Sequence, residues 1–102
     1  MVNYRPIPEW LKKKIRARDK KCVYCKIPFK NNPTDRAEWE HIDNDENNIC
    51  EENVTLCCKS CNASKGDKKL MDWLNSPNKK KKEINKETVA DIIKEYIRKY
   101  AL

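Results

Sequence analysis

Two C-x-x-C pairs, Cys22 with Cys25 and Cys58 with Cys61, constrain this chain more than any other feature. Each pair presents two thiolates from one tight turn, and four thiolates suit tetrahedral zinc. The pairs are 32 residues apart, a separation that two short loops and a hairpin can bridge. A chain of 102 residues buries too little apolar surface to be comfortably stable by packing alone, so a staple is expected. Disulfides are the other way to supply one. No apolar run approaches a membrane span, and the start MVNYRPIPEW lacks the apolar stretch of a signal peptide. A reducing cytoplasm is therefore expected, where this spacing favours metal thiolates over disulfides. Cys57, adjacent to Cys58, is awkward for a shared tetrahedron, and Cys50 lies in a loop with no near partner. Both read as buried or half-exposed thiols.

The net charge of +7 is unevenly placed. Residues 1–36 carry 11 basic and 3 acidic side chains, residues 37–57 none and 7, and residues 58–102 carry 12 and 6. The basic flanks suit a polyanion, whereas the acidic centre repels phosphate unless cations neutralise part of it. The lysine run Lys79–Lys82 fits either a polyanion contact or a solvated surface.

Apolar spacing predicts a helix over Glu9–Asp19, with Leu11 and Ile15 one turn apart and a basic face around them. AEWEHI reads as a strand, Ala37, Trp39 and His41 alternating with Glu38, Glu40 and Ile42. DNDENN follows as a polar loop, and Asn53–Leu56 is a second short strand. A helix is expected from Cys58 to Lys65 with Gly66, the only glycine, as its C-cap. KLMDWLN predicts a short helix stopped by Ser76 and Pro77. Residues 83–102 carry one apolar stripe, Ile84, Val89, Ile92, Ile93, Tyr96, Ile97 and Tyr100, which predicts a helix buried on its own domain, on a second copy or on another protein.

His41 is the only histidine. A lone imidazole is most often a hydrogen-bonded structural group, but Glu40 beside it and Asn62 on the helix after Cys61 supply hard oxygen donors that suit magnesium or manganese. An imidazole next to such an ion can take a proton from a water attacking phosphorus. Because neighbours in a regular strand face opposite ways, Glu40 and His41 reach one phosphate only if the strand ends or bulges there.

The ordered pattern C-V-Y-C, E-H-I, N-V-T-L-C-C-K-S-C-N-A-S-K-G resembles the HNH endonuclease family over roughly Ile15 to Trp73. The resemblance implies a ββα-metal (His-Me finger) hairpin and helix held by a treble-clef zinc site. The fold expected is thus a small α+β nuclease domain over residues 1–76 that includes the basic N-terminal helix, followed by a basic linker and amphipathic helix over 77–102. It implies Cys22, Cys25, Cys58 and Cys61 as structural zinc ligands, His41 as general base, Glu40 and Asn62 as ligands of a catalytic Mg²⁺ or Mn²⁺, and Asn53 as a brace beside the histidine. Many relatives have aspartate where this chain has Glu40, which bears on metal geometry.

The activity implied is metal-dependent hydrolysis of DNA phosphodiester bonds, leaving 5′-phosphate and 3′-hydroxyl ends, in a bacterial or phage-infected cell. Double-stranded DNA is the substrate expected, with a homodimer or protein partner on the C-terminal helix as a further expectation. Lys12, Lys13, Arg16, Arg18, Lys59, Lys65, Lys68 and Lys69 are the candidates for backbone contact. The rival expectation is a zinc-stabilised DNA- or protein-binding module without turnover.

Overall fold

The computed structural model describes residues 6–76 and 84–102. Its elements are α1 (Glu9–Arg18), β1 (Ala37–His41), β2 (Val54–Cys58), α2 (Lys59–Lys65), α3 (Leu70–Leu74) and α4 (Asp91–Lys99), a small α+β arrangement around one two-stranded antiparallel sheet. The hairpin pairs in regular register from Ala37 opposite Cys58 to His41 opposite Val54. The second strand thus runs two residues beyond its predicted end.

β2 is buried at all five positions because both of its faces are covered. On one face Val54 and Leu56 pack with Leu11 and Ile15 of α1, flanked by Trp39 and Phe29. On the other, Cys57 belongs to the larger core of Tyr24, Trp73, Leu74, Ile84, Val89 and Ile93.

α2 begins where the strand ends. The Cys58 side chain caps it, its sulfur accepting from the Cys61 backbone N–H at 3.4 Å. Gly66 closes it at φ 54°, ψ −130°, a backbone that side chains resist, and its N–H bonds the Asn62 carbonyl at 2.9 Å. This is the expected C-cap.

The C-terminal segment differs from expectation. Helix α4 starts only at Asp91, because residues 85–88 close a turn on themselves: Asn85 Oδ1 accepts from the Glu87 N–H at 2.8 Å and Thr88 Oγ1 accepts from the Asn85 N–H at 3.0 Å. Such side-chain bonds compete with helix formation. Ile84, Val89 and Ile93 are fully buried in the core shared with Cys22 and Tyr24, and the Ala90 N–H bonds the Val23 carbonyl at 2.8 Å. The apolar stripe therefore packs on its own chain, leaving Tyr100 and Leu102 about half exposed. Lys79–Lys82 and the start of the expected linker lie outside the described residues. Among the described residues no helix is long and apolar enough to cross a membrane.

Arg18 and Asp19 lock α1 to β2. Asp19 is buried, takes both Arg18 Nε at 2.7 Å and Arg18 Nη2 at 2.8 Å, and accepts the Leu56 N–H at 3.1 Å. The guanidinium also donates to the Glu51 and Val54 carbonyls at 2.6 and 2.8 Å. Arg18 is thereby withdrawn from the set of candidate phosphate contacts. Replacing Asp19 strands the Leu56 N–H and part of the guanidinium, so Asp19→Ala is expected to cost about 2–4 kcal/mol in urea unfolding.

Candidate metal centre and active site

The four predicted cysteine sulfurs converge. They lie within 4.8 Å of one another, and Cys25 Sγ is 3.7 Å from Cys58 Sγ. A tetrahedron with zinc–sulfur bonds of about 2.3 Å has edges of about 3.8 Å, so the spacing fits a metal and none of the six cysteines is in a disulfide. Cys22 and Cys25 are presented by a turn in which the Lys26 N–H bonds the Cys22 carbonyl at 2.9 Å and Lys26 adopts φ 63°.

Crowding distributes the thiol protons unevenly. Hydrogen bonds from Cys22 and Cys61 pull the Cys25 thiol well below its ordinary range. The bond to Cys25 pushes Cys22 up to about 11, and bonds to Cys22 and Cys25 push Cys61 up as well. A divalent ion held by Cys22, Cys25, Cys58 and Cys61 would relieve this crowding, because it would take four thiolates.

Cys57 stands apart because strand neighbours face opposite ways; it is fully buried, and burial pushes its thiol up. Cys50 is half-buried against Asn48 Oδ1 at 3.6 Å. The chain is expected to hold one zinc, retained in Cys50→Ala and Cys57→Ala and lost with the folded structure in Cys58→Ala. Metal analysis alongside circular dichroism reads this out, and a folded Cys58→Ala protein with full zinc content would overturn the assignment.

A second cluster forms at the end of β1. Glu38 and Glu40 share one face of the strand, and α2 runs past it so that Asn62 meets Glu38 while Lys65 meets Glu40. Glu40, His41 and Asn62 line one polar cavity of about 260 Å³, together with Trp39, Asn44, Glu46, Gly66 and Asp67. The irregularity expected at Glu40 and His41 is absent, because both pair in regular register opposite Thr55 and Val54. Pairing is regular through His41, and the chain then turns through Asp43 and Asn44, where φ reaches 64°. The cavity wraps round the strand end, and this admits side chains from both faces.

Glu40 is buried, and both of its polar partners use the same oxygen. Tyr24 Oη donates to Oε2 at 2.8 Å and Lys65 Nζ lies 3.2 Å from it. Among the described residues nothing bonds Oε1. Burial raises the Glu40 carboxyl, opposed by the Lys65 ammonium and the Tyr24 hydroxyl. Lys65 is fully buried and also donates to Asn44 Oδ1 at 2.7 Å, so it too leaves the set of phosphate contacts.

Asn62 Nδ2 donates to Glu38 Oε1 at 3.0 Å, while Asn62 Oδ1 has no partner among the described residues. The Asn62 amide, then Arg36, hold the Glu38 carboxyl below its ordinary range. Two hard oxygens, Glu40 Oε1 and Asn62 Oδ1, thus remain available on residues that share a cavity, a donor set that fits Mg²⁺ or Mn²⁺. His41 Nε2 is the one buried side-chain nitrogen or oxygen among the described residues that lacks a hydrogen-bond partner.

Asn53 sits behind the cavity. Its Nδ2 donates to Asp43 Oδ1 and the Asn48 carbonyl, both at 2.9 Å, and its Oδ1 accepts the Asp43 N–H at 3.1 Å, so it braces the loop that follows His41. Of the basic candidates, Lys13, Arg16, Lys68 and Lys69 are exposed and Lys59 is half-buried. Lys12 and Arg16 lie over the Trp39 ring at 5.9 and 5.3 Å, which carries the basic face of α1 to the cavity rim.

Sequence reasoning missed Tyr24, Glu38 and Asn44. Tyr24 lies inside C-V-Y-C and Glu38 two positions before Glu40, so the shared strand face was a usable signal for Glu38 alone. The chain matches no protein-family model, no curated protein and no solved structure.

Lys65→Met leaves the Glu40 carboxylate buried beside Tyr24 alone. A carboxyl raised by burial keeps its proton to higher pH in the folded chain than in the unfolded one. Stability from this group therefore falls as pH rises from about 4.5 through the folded value, and loss of the ammonium extends that window upward. The substitution is expected to cost about 3–5 kcal/mol at pH 8 and distinctly less at pH 5. Denaturant unfolding at the two pH values, without added Mg²⁺ or Mn²⁺, checks this.

Proposed function

We propose that the protein is a divalent-metal-dependent endonuclease of the HNH type, its hairpin and α2 acting as a ββα-metal unit. The observation that carries the reading is the single cavity shared by Glu40, His41 and Asn62. Its substrate is double-stranded DNA, cut to 5′-phosphate and 3′-hydroxyl ends.

In this reading Glu40 Oε1 and Asn62 Oδ1 hold the cation. The ion, when bound, supplies Lewis-acid stabilisation of charge developing on the phosphate and leaving oxygens. His41 takes the proton of the attacking water. An imidazole nitrogen buried without a partner costs about 1–3 kcal/mol, and such costs persist at functional sites. Asn53 keeps the loop after His41 from collapsing into the cavity. Lys65 and Tyr24 anchor Glu40 by its far oxygen, which restrains the side chain one methylene longer than aspartate. Lys13, Arg16, Lys68 and Lys69 contact the DNA backbone and position it without reading bases. The four-cysteine centre holds zinc and fixes α2 against the hairpin.

Wild-type protein should convert supercoiled plasmid to nicked or linear DNA with added Mg²⁺ or Mn²⁺, whereas His41→Ala should lose about 10²–10⁴-fold in rate. Intact plasmid across both metals, or equal cutting by His41→Ala, points instead to a zinc-stabilised binding module.

A further inference from the structure

The orientation of the Asn62 amide is decided outside the cavity. An asparagine amide turns about a broad terminal torsion, and its two ends are nearly equal in size. One end accepts and the other donates, so a turn of the amide exchanges an oxygen lone pair for an N–H pair aimed at the same point. Only the oxygen end attracts a cation.

Glu38 settles the choice by its chemistry. An ionised carboxylate only accepts, so only the amino end of Asn62 can face it, as the 3.0 Å bond from Nδ2 to Oε1 shows. Arg36 holds the other carboxylate oxygen, Oε2, through Nη2 at 3.2 Å and Nε at 3.4 Å, which leaves Oε1 for the amide. Glu38 stays outside the cavity wall, whereas Asn62 belongs to it. We propose that Glu38 is a positioning residue: by accepting from Asn62 Nδ2 it turns Asn62 Oδ1 toward the cavity as an oxygen donor for a divalent cation. The proposal rests on the reading of Glu40 and Asn62 as the cation pair.

Mn²⁺ binding to the zinc-loaded full chain, followed by the spin-resonance signal of the free ion, tests this apart from turnover. Glu38→Ala is expected to weaken Mn²⁺ binding about tenfold, the usual effect of losing a partner that orients a ligand. In an Asn62→Asp background the same change should be less than about twofold or should tighten binding, because a carboxylate presents oxygen whichever way it turns. Zinc content and thermal midpoint confirm that each variant is folded; if Glu38→Ala is not, Glu38→Gln takes its place in the cycle, with a smaller loss confined to the Asn62 background. Equal weakening in both backgrounds would mean that Glu38 acts on the ion directly, and overturns the positioning role. If Asn62→Ala weakens Mn²⁺ binding and Glu38→Ala does not, only the positioning role falls. If Asn62→Ala leaves Mn²⁺ binding intact, the cation pair itself is wrong and both readings fall.

Discussion

The rest of the structure depends on the junction of four sulfurs. It joins the turn after α1 to the point where β2 becomes α2, beside the bond from the Val23 N–H to the Leu56 carbonyl at 3.2 Å. A two-stranded hairpin is marginal alone, and so is a helix of seven residues. Held at one corner, they share a core: Tyr24, between the first two cysteines, packs edge-on to Trp73 at 4.9 Å, and Val23 receives the backbone of Ala90. Helices α3 and α4 are thus assembled on the junction. Much of the free energy of metal binding is then free energy of folding.

The second constraint is electrostatic. Residues 37–57 hold seven carboxylates and no lysine or arginine, a run that looks hostile to a polyanion. Folding brings compensating groups from elsewhere in the chain: Lys65 beside Glu40, Arg36 beside Glu38, Lys14 at 3.5 Å from Glu51. Asp43 is held by the Asp45 N–H and by the amides of Asn48 and Asn53. Toward the cavity, one oxygen of Glu40 and one of Asn62 carry no hydrogen bond among the described residues, and the exposed Glu46 and Asp67 also line it, hard donors that suit one divalent ion keeping several waters.

Elements with a strong local signal were legible. Leu11 and Ile15 predict the buried side of α1, the alternation around Trp39 predicts β1, and Gly66 predicts the end of α2. The start of α4 was not, because Asn85 and Thr88 choose between helix and turn through side-chain bonds that periodicity does not register. Arg18 and Lys65 were named as candidates for DNA backbone contact, and both are engaged inside the chain instead. Charge alone suggests water or phosphate, yet Arg18 is held by its neighbour Asp19, buried against β2, and Lys65 by the distant buried Glu40.

Cysteine spacing and apolar periods predicted an α+β chain with four cysteines placed to hold a metal, since covalent order sets local geometry, and the resemblance carried by E-H-I and C-x-x-C-N named Glu40, His41 and Asn62 as one group. Which atoms of that group remain available was decided only in the tertiary structure. Lys65 and Tyr24 take one oxygen of Glu40, and Glu38 takes the amino end of Asn62. Those choices arise where α2 packs across the face of β1 and where the turn after α1 brings Tyr24 to it, contacts between segments distant in the chain that no local pattern encodes.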